Sequence, residues 1–241
     1  MKKSIFVFSL SVACLKANIA LCPSSPLYPE EGIVFAKESF ATFKTGYFID
    51  YTWKASLQNN TETESMQLSA FTQYGALALC LSDLVDLWGF VGVQKNSLKF
   101  NENNSEIKFK ESAGFSWALY ADGILNQWGK LQLGAGAYYA STPYQQGQLY
   151  ENSSSIQTQY QYYAWGISLG FAYDYPPMAP YARIDFQKAK SRLQGQQIYS
   201  LKYPVGLAFG FISDFTHGFF ADFEIKVIQV TATRLMLGLR F

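Results

Sequence analysis

One histidine, His217, three cysteines and 18 carboxylates are the side chains from which this chain of 241 residues could build an acid–base, thiol or metal site. His217 falls in "SDFTHG", between two segments of alternating apolarity, where a turn residue is the plainer reading than a general base. One histidine and scattered cysteines do not make a metal set. No Gly-rich loop follows a strand and opens a helix, so no phosphate-cradling motif is present. These features predict no cofactor and no enzymatic activity. Cys80 lies in "GALALCLSD", opposite in parity to Leu77, Leu79 and Leu81. A Cys22–Cys80 bridge is open to it in an oxidising compartment; a buried thiol is the other reading.

The ionisable residues are more informative, because they recur on one parity. "FKTGYFIDYTWK" sets Lys44, Asp50 and Lys54 against Tyr47, Ile49, Tyr51 and Trp53. "IKFKESAGFSWALYAD" sets Lys108, Lys110 and Asp122 against Phe115, Trp117 and Leu119. Lys130, Arg183, Asp185, Lys202, Asp222, Glu224, Lys226, Arg234 and Arg240 occupy the polar face of later segments. A period of two belongs to strands, which no helix shares. These fifteen residues are therefore expected to line the inside of a closed sheet. Their excess of base predicts a weak preference for anions in any current through it. The alternative is an ion-paired plug, since about eight strands are already filled by side chains alone. Glu111 falls on the apolar parity and requires a bulge or a position above the membrane.

About ten segments must carry this face, near 41–57, 65–81, 87–99, 106–122, 128–141, 156–175, 179–190, 199–213, 218–229 and 231–241. Several exceed the roughly 9 to 11 residues that a tilted strand needs to cross a bilayer. The connections sort into long polar ones ("QNNTETES", "NENNSE", "STPYQQGQLYENSSS", "AKSRLQGQQ") and shorter ones ("SDLVD", "DGILNQ", "DYPPM", "SDFTHG"). Outer-membrane barrels have long outer loops and short periplasmic turns. The last hairpin, "VIQVTATR", is the exception with a very short outer end. Pro204, with no N–H for the ladder, is expected at a bulge. Tyr47, Trp53, Trp88, Trp128, Tyr160, Tyr163, Tyr173 and Tyr175 are expected in aromatic girdles.

Composition agrees. Charged residues are 15% of the chain and aromatics 17%, against a usual charged fraction of about 25%. A formal net charge of +1 excludes an electrostatic case for nucleic acid. "MKK" followed by "SIFVFSLSVA" reads as an export signal over 1–20, cut after Ala13, Ala17 or Ala20, with a lipoprotein reading at Cys14. A periplasmic tether over 21–38 precedes the barrel, 39–241. The expectation is an all-β, antiparallel up-and-down transmembrane barrel of about ten strands (8–12) in a bacterial outer membrane. Its expected work is passive diffusion of small solutes and ions. The alternative is a plugged structural or surface-interaction barrel acting through outer loops such as Ser141–Ser155.

Several segments resemble the major outer membrane protein of chlamydiae, a porin family. "FKTGYFIDYTWK" resembles its early Gly-Tyr-Tyr-x-Asp-Tyr strand, and "FSWALYADGILNQWGKLQLGAGAYYASTP" its Phe-Ser-Trp strand and Trp-containing turn. "YAWGISLGFAYDYPPMAPYARIDFQKA" is similar to one of its hairpins, and "VGLAFGFISDFTHGFFADFEIKVIQVTATRLMLGLRF" to its closing strands. The chain is shorter than a typical member and lacks the long variable loops. The resemblance implies outer-membrane lipid as surroundings, a homotrimer or disulfide-linked envelope proteins as partners, and oxidation of at least one cysteine. It also implies that a final strand ending in Phe241 is read by the barrel-assembly machinery.

Overall fold

A strand apolar on one side and polar on the other must separate two media. The computed structural model describes residues 41–59, 65–81, 85–102, 105–151, 154–175, 177–193, 198–215, 218–228 and 230–241, nearly all of them antiparallel strand. The expected signal and tether, with Cys14 and Cys22, lie outside the described residues, and so does His217.

Twelve strands run in chain order: β1 (Ala41–Asn59), β2 (Ser65–Leu81), β3 (Val85–Glu102), β4 (Ser105–Glu111), β5 (Gly114–Trp128), β6 (Leu131–Glu151), β7 (Ser154–Tyr173), β8 (Met178–Leu193), β9 (Ile198–Leu201), β10 (Val205–Asp214), β11 (Phe219–Val227) and β12 (Val230–Arg240). Two expected single strands are each broken once. Ser112–Ala113 separates β4 from β5, and Lys202–Pro204 separates β9 from β10. Counting each broken strand once, the wall has ten strands. β12 pairs with β1 from Lys44↔Arg240 to Ala55↔Val230, which closes the cylinder. Beyond that ladder, the Phe241 amide donates to the Phe43 carbonyl at 2.8 Å. Closure leaves no open edge, as hydrocarbon requires.

The outer surface carries a continuous apolar belt. Val91, Phe115, Leu119, Trp165, Ile167, Leu169, Phe171, Phe209 and Ile225 are all exposed on it. On β7 the belt runs from Tyr163 to Tyr173, about 33 Å along the strand and roughly 25 Å across a membrane at the usual tilt. A lysine or arginine at mid-belt would cost about 2 to 4 kcal/mol; none of the described ones stands there.

The short final hairpin shapes the end away from the chain terminus. β11 ends at Val227 and β12 begins at Val230, with Ile228 between them at φ 78°. Above that tip nothing separates β8 and its partner from β1. β9 fills the gap: it pairs with β8 (Lys190↔Ser200) and also with β1 (Leu57↔Leu201, Asn59↔Tyr199). Pro204 stands where this strand exchanges β11 for β1 as its neighbour, a place where a missing N–H does no harm. The barrel is therefore ten-stranded at the end holding the terminus and eight-stranded at the other.

The long polar connections differ from expectation. Most of their length is paired strand: Gln145–Glu151 pairs with Ser154–Tyr160, and Ser97–Glu102 with Ser105–Lys110. Ser141–Glu151 is thus paired strand in the upper part of a hairpin, not a loop. Alternation fades there because both faces stand outside the hydrocarbon. At the opposite end the β5–β6 turn has only Gly129 (φ 60°) and Lys130. Short turns and the terminus mark the periplasmic end, and the tall hairpins mark the outer end.

Candidate functional site

The interior divides into two halves, each built by a different residue pattern. In the periplasmic half, β10 reads Gly206-Leu-Ala208-Phe-Gly210, with its small residues turned inward. Ala208 lies between Arg183 of β8 and Lys226 of β11 in the ladders, and Gly210 between Tyr181 and Glu224. A Cβ at Gly210 would stand 2.4 Å from the Tyr181 hydroxyl. These gaps let long side chains from β8 and β11 meet across β10. Arg183 Nη2 reaches Glu224 Oε1 at 2.9 Å, and Arg234 Nη1 reaches the same oxygen at 2.7 Å. Lys226 Nζ lies 2.9 Å from Asp185 Oδ2, and Arg183 Nε lies 2.9 Å from Asp185 Oδ1. The Tyr181 hydroxyl is 3.0 Å from Asp222 Oδ1 and 3.1 Å from Glu224 Oε2. Arg234 also stacks over the Phe48 ring at 5.1 Å. Lower down, Lys44 pairs with Asp86, and Arg240 with Asp214. The arrangement is a cross-barrel network of matched charges rather than a ring of one sign.

The outer half is packed mainly with apolar side chains, and Gln94, Asn96, Glu111, Thr142, Gln145 and Ser191 are buried among or just below them. Leu57, Met66, Leu68, Leu98, Phe109, Tyr160 and Tyr162 point inward there, each with 0% of its surface accessible. Phe109 and Tyr160 pack with tilted rings, their centroids 5.6 Å apart. Tyr199 and Leu201 of β9 are also buried and complete this packing. Between the halves, aromatic rings lie across glycines of the next strand: Tyr74 over Gly92 and Tyr138 over Gly166, where a Cβ would meet the rings at 2.4 and 2.6 Å. Eight strands leave an interior that side chains can fill, and here they do.

Of the fifteen residues expected inside, Lys44, Asp50, Asp122, Arg183, Asp185, Asp222, Glu224, Lys226, Arg234 and Arg240 are buried on the interior face. Five are corrected to the outside, and three of these by bulges. The break at Ser112–Ala113 reverses parity, so Ile107, Phe109 and Glu111 turn inward while Lys108 and Lys110 turn outward. The same bulge resolves the misplaced Glu111, which is buried. A register slip between Thr52 and Lys54 leaves Trp53 and Lys54 both exposed before Ala55 resumes the interior. Lys130 is exposed in its turn, and Lys202 is exposed beside Tyr203 in the break before β10.

The expected excess of base disappears with these five. Among described residues, five basic and seven acidic side chains are buried in the interior, the acids including Asp86 and Glu111, which parity alone missed. Asp86 closes "SDLVD", which reads as a turn, yet it lies in β3 and is buried. Two expected girdle residues, Trp88 and Tyr160, are inside, while Trp53, Trp128, Tyr173 and Tyr175 are exposed. Cys80 is buried and faces Asp86 in the β2–β3 ladder.

Neither a protein-family model nor a curated protein matches the chain. Its structure is similar to an outer membrane channel from Pseudomonas putida F1 (TM-score 0.44, 10% identity, over 88% of this chain and 98% of that one). It is also similar to the transport unit of the autotransporter AIDA-I from Escherichia coli (TM-score 0.42, 8% identity, 85% and 91%). A third likeness is to the beta domain of the Bordetella autotransporter BrkA (TM-score 0.41, 10% identity, 84% and 99%). The class rests on the chain's own geometry. A closed antiparallel wall with an apolar belt of membrane thickness defines an outer-membrane β-barrel.

Proposed function

We propose that this barrel is sealed in its resting form and serves the cell envelope through its outer hairpins and surface, not as an open diffusion pore. One observation carries this reading: Leu57, Met66, Leu68, Leu98, Phe109, Tyr160 and Tyr162, which fill the centre of the eight-stranded outer half, have no accessible surface. Water and ions entering from the periplasm would meet the charge network and then close packing around Leu57, Met66, Leu68, Leu98, Phe109, Tyr160 and Tyr162. In planar bilayers the refolded protein is expected to give no steady ion steps at moderate voltage. Reproducible ohmic steps from folded, unmutated protein would overturn the sealed reading.

A second reading keeps passive diffusion of small solutes and ions. It is favoured by the charged periplasmic half and would require the outer packing to rearrange. With seven acids against five bases inside, a current through this lumen would not favour anions. The resemblance to the chlamydial porin family belongs to this reading too, and its motifs fall on β1, β5–β8 and β10–β12. Recognition of Phe241 by the assembly machinery is part of the same proposal, as are a trimer and oxidation of Cys22 or Cys80.

A further inference from the structure

The five lysines displaced from the lumen do not scatter at random. Four of them, Lys54, Lys108, Lys110 and Lys202, stand at the outer end. Along β3 the outward residues change from Val91 and Val93 to Lys95, Ser97 and Lys99; along β8, from Ile184 and Phe186 to Lys188, Lys190 and Arg192. The change comes just above the apolar belt on both strands. Among side chains described on this outer rim, all the charged ones are basic. These lysines and the arginine stand as a collar at the height of the outer-leaflet headgroups.

The collar is densest on β3 and β4. Lys99 and Lys108 are direct partners in the ladder, and Ser97 is the partner of Lys110. Lys95 and Lys99 flank Ser97 on the same face, each about 7 Å from it along the strand. Below them lies a hollow of about 280 Å³ lined by Tyr51, Ser69, Phe71, Lys95, Ser97 and Lys110. Its upper rim offers ammonium and hydroxyl groups, and its lower rim offers two exposed aromatic rings at the top of the belt. Ammonium above and aromatic surface below match a molecule with a phosphate head and an acyl body.

We propose that Lys95, Lys99, Lys108 and Lys110 form a binding site for the phosphate groups of an anionic lipid in the outer leaflet. The ammonium groups bind the phosphate oxygens, Ser69 and Ser97 donate hydrogen bonds, and the first acyl carbons lie against Tyr51 and Phe71. Basic clusters next to the hydrocarbon gain affinity for anionic headgroups with each added cation.

The test uses the whole barrel in zwitterionic micelles doped either with lipid A, a bis-phosphorylated glycolipid, or with phosphatidylcholine. Native mass spectrometry counts the lipids retained. Retention of lipid A over phosphatidylcholine is expected, with affinity falling about a hundredfold in the K95Q/K99Q/K108Q/K110Q variant. K188Q/K190Q, on the far wall, is expected to keep binding within a few-fold. Folding of each variant is read from its heat-dependent gel mobility. If the fourfold variant fails to fold, K95Q/K110Q carries the same expectation with a loss of about tenfold. Equal retention of the two lipids, unchanged binding in the lysine variants, or an equal loss in K188Q/K190Q would overturn the site. Displacement of lipid A by millimolar inorganic phosphate would overturn the lipid as its ligand.

Discussion

The two halves of the lumen do opposite things with the same wall. The periplasmic half has ten strands, and its extra circumference is occupied by arginine, lysine and carboxylate side chains that meet across Gly206, Ala208 and Gly210. The outer half has eight strands, and its interior is occupied mainly by leucine, methionine, phenylalanine and tyrosine, with a few buried polar groups such as Asn96, Glu111 and Gln145 among them. Strand number sets the space, and the space sets which side chains can fill it. A wider ring leaves room for charges only if they satisfy one another, because each group is out of reach of bulk water. A narrower ring can be sealed by dispersion and hydrophobic packing alone.

That contrast predicts unequal responses to mutation. The largest effect is expected from F109A/Y160A, which empties the centre of the outer seal. Two buried rings are lost, a destabilisation on the order of 5 kcal/mol in urea titrations of the micellar protein. The same variant is expected to show ion steps in planar bilayers where the parent is silent.

Glu224→Ala comes next. It removes the carboxylate shared by Arg183 and Arg234 and leaves two guanidinium groups facing each other, at a cost of about 4 kcal/mol. It is expected to remain electrically silent, because the seal lies above it. If Glu224→Ala conducted and the double variant did not, the assignment of the seal to the outer half would be wrong.

The smallest effect sharpens the account of the taper. Ile228 holds φ at 78° in the tip of the last hairpin, a strained setting for a β-branched residue. Ile228→Gly is expected to raise stability by about 1 kcal/mol in the same titrations, with β9 still paired to β1. A loss of stability would show that the isoleucine side chain matters more than its backbone.

Much of the wall was legible from residue types. Leu235 and Leu237 outside with Arg234 and Met236 inside follow from parity, and so do Ile167 and Leu169 against Ser168. Parity failed wherever one extra residue entered a strand. Nothing local in "KESAG" announces that Ser112–Ala113 reverses the faces, yet that reversal brings Glu111 in and puts Lys108 and Lys110 out. The polarity of "STPYQQGQLYENSSS" reads as a loop because its buried inward face, Thr142, Gln145 and Gly147, is polar or small and shows no apolar stripe.

Alternation along the chain was enough to specify a closed antiparallel wall, a lipid-facing belt and ten of the twelve charged groups buried inside among the described residues, because side-chain direction in a strand is a local property. Pairing between strands distant in sequence decided the rest. Leu57 meets Leu201 only because β11 and β12 stop short and β9 must satisfy the exposed backbone of β1. That single nonlocal ladder narrows the outer end, and with it decides that the cylinder is filled there.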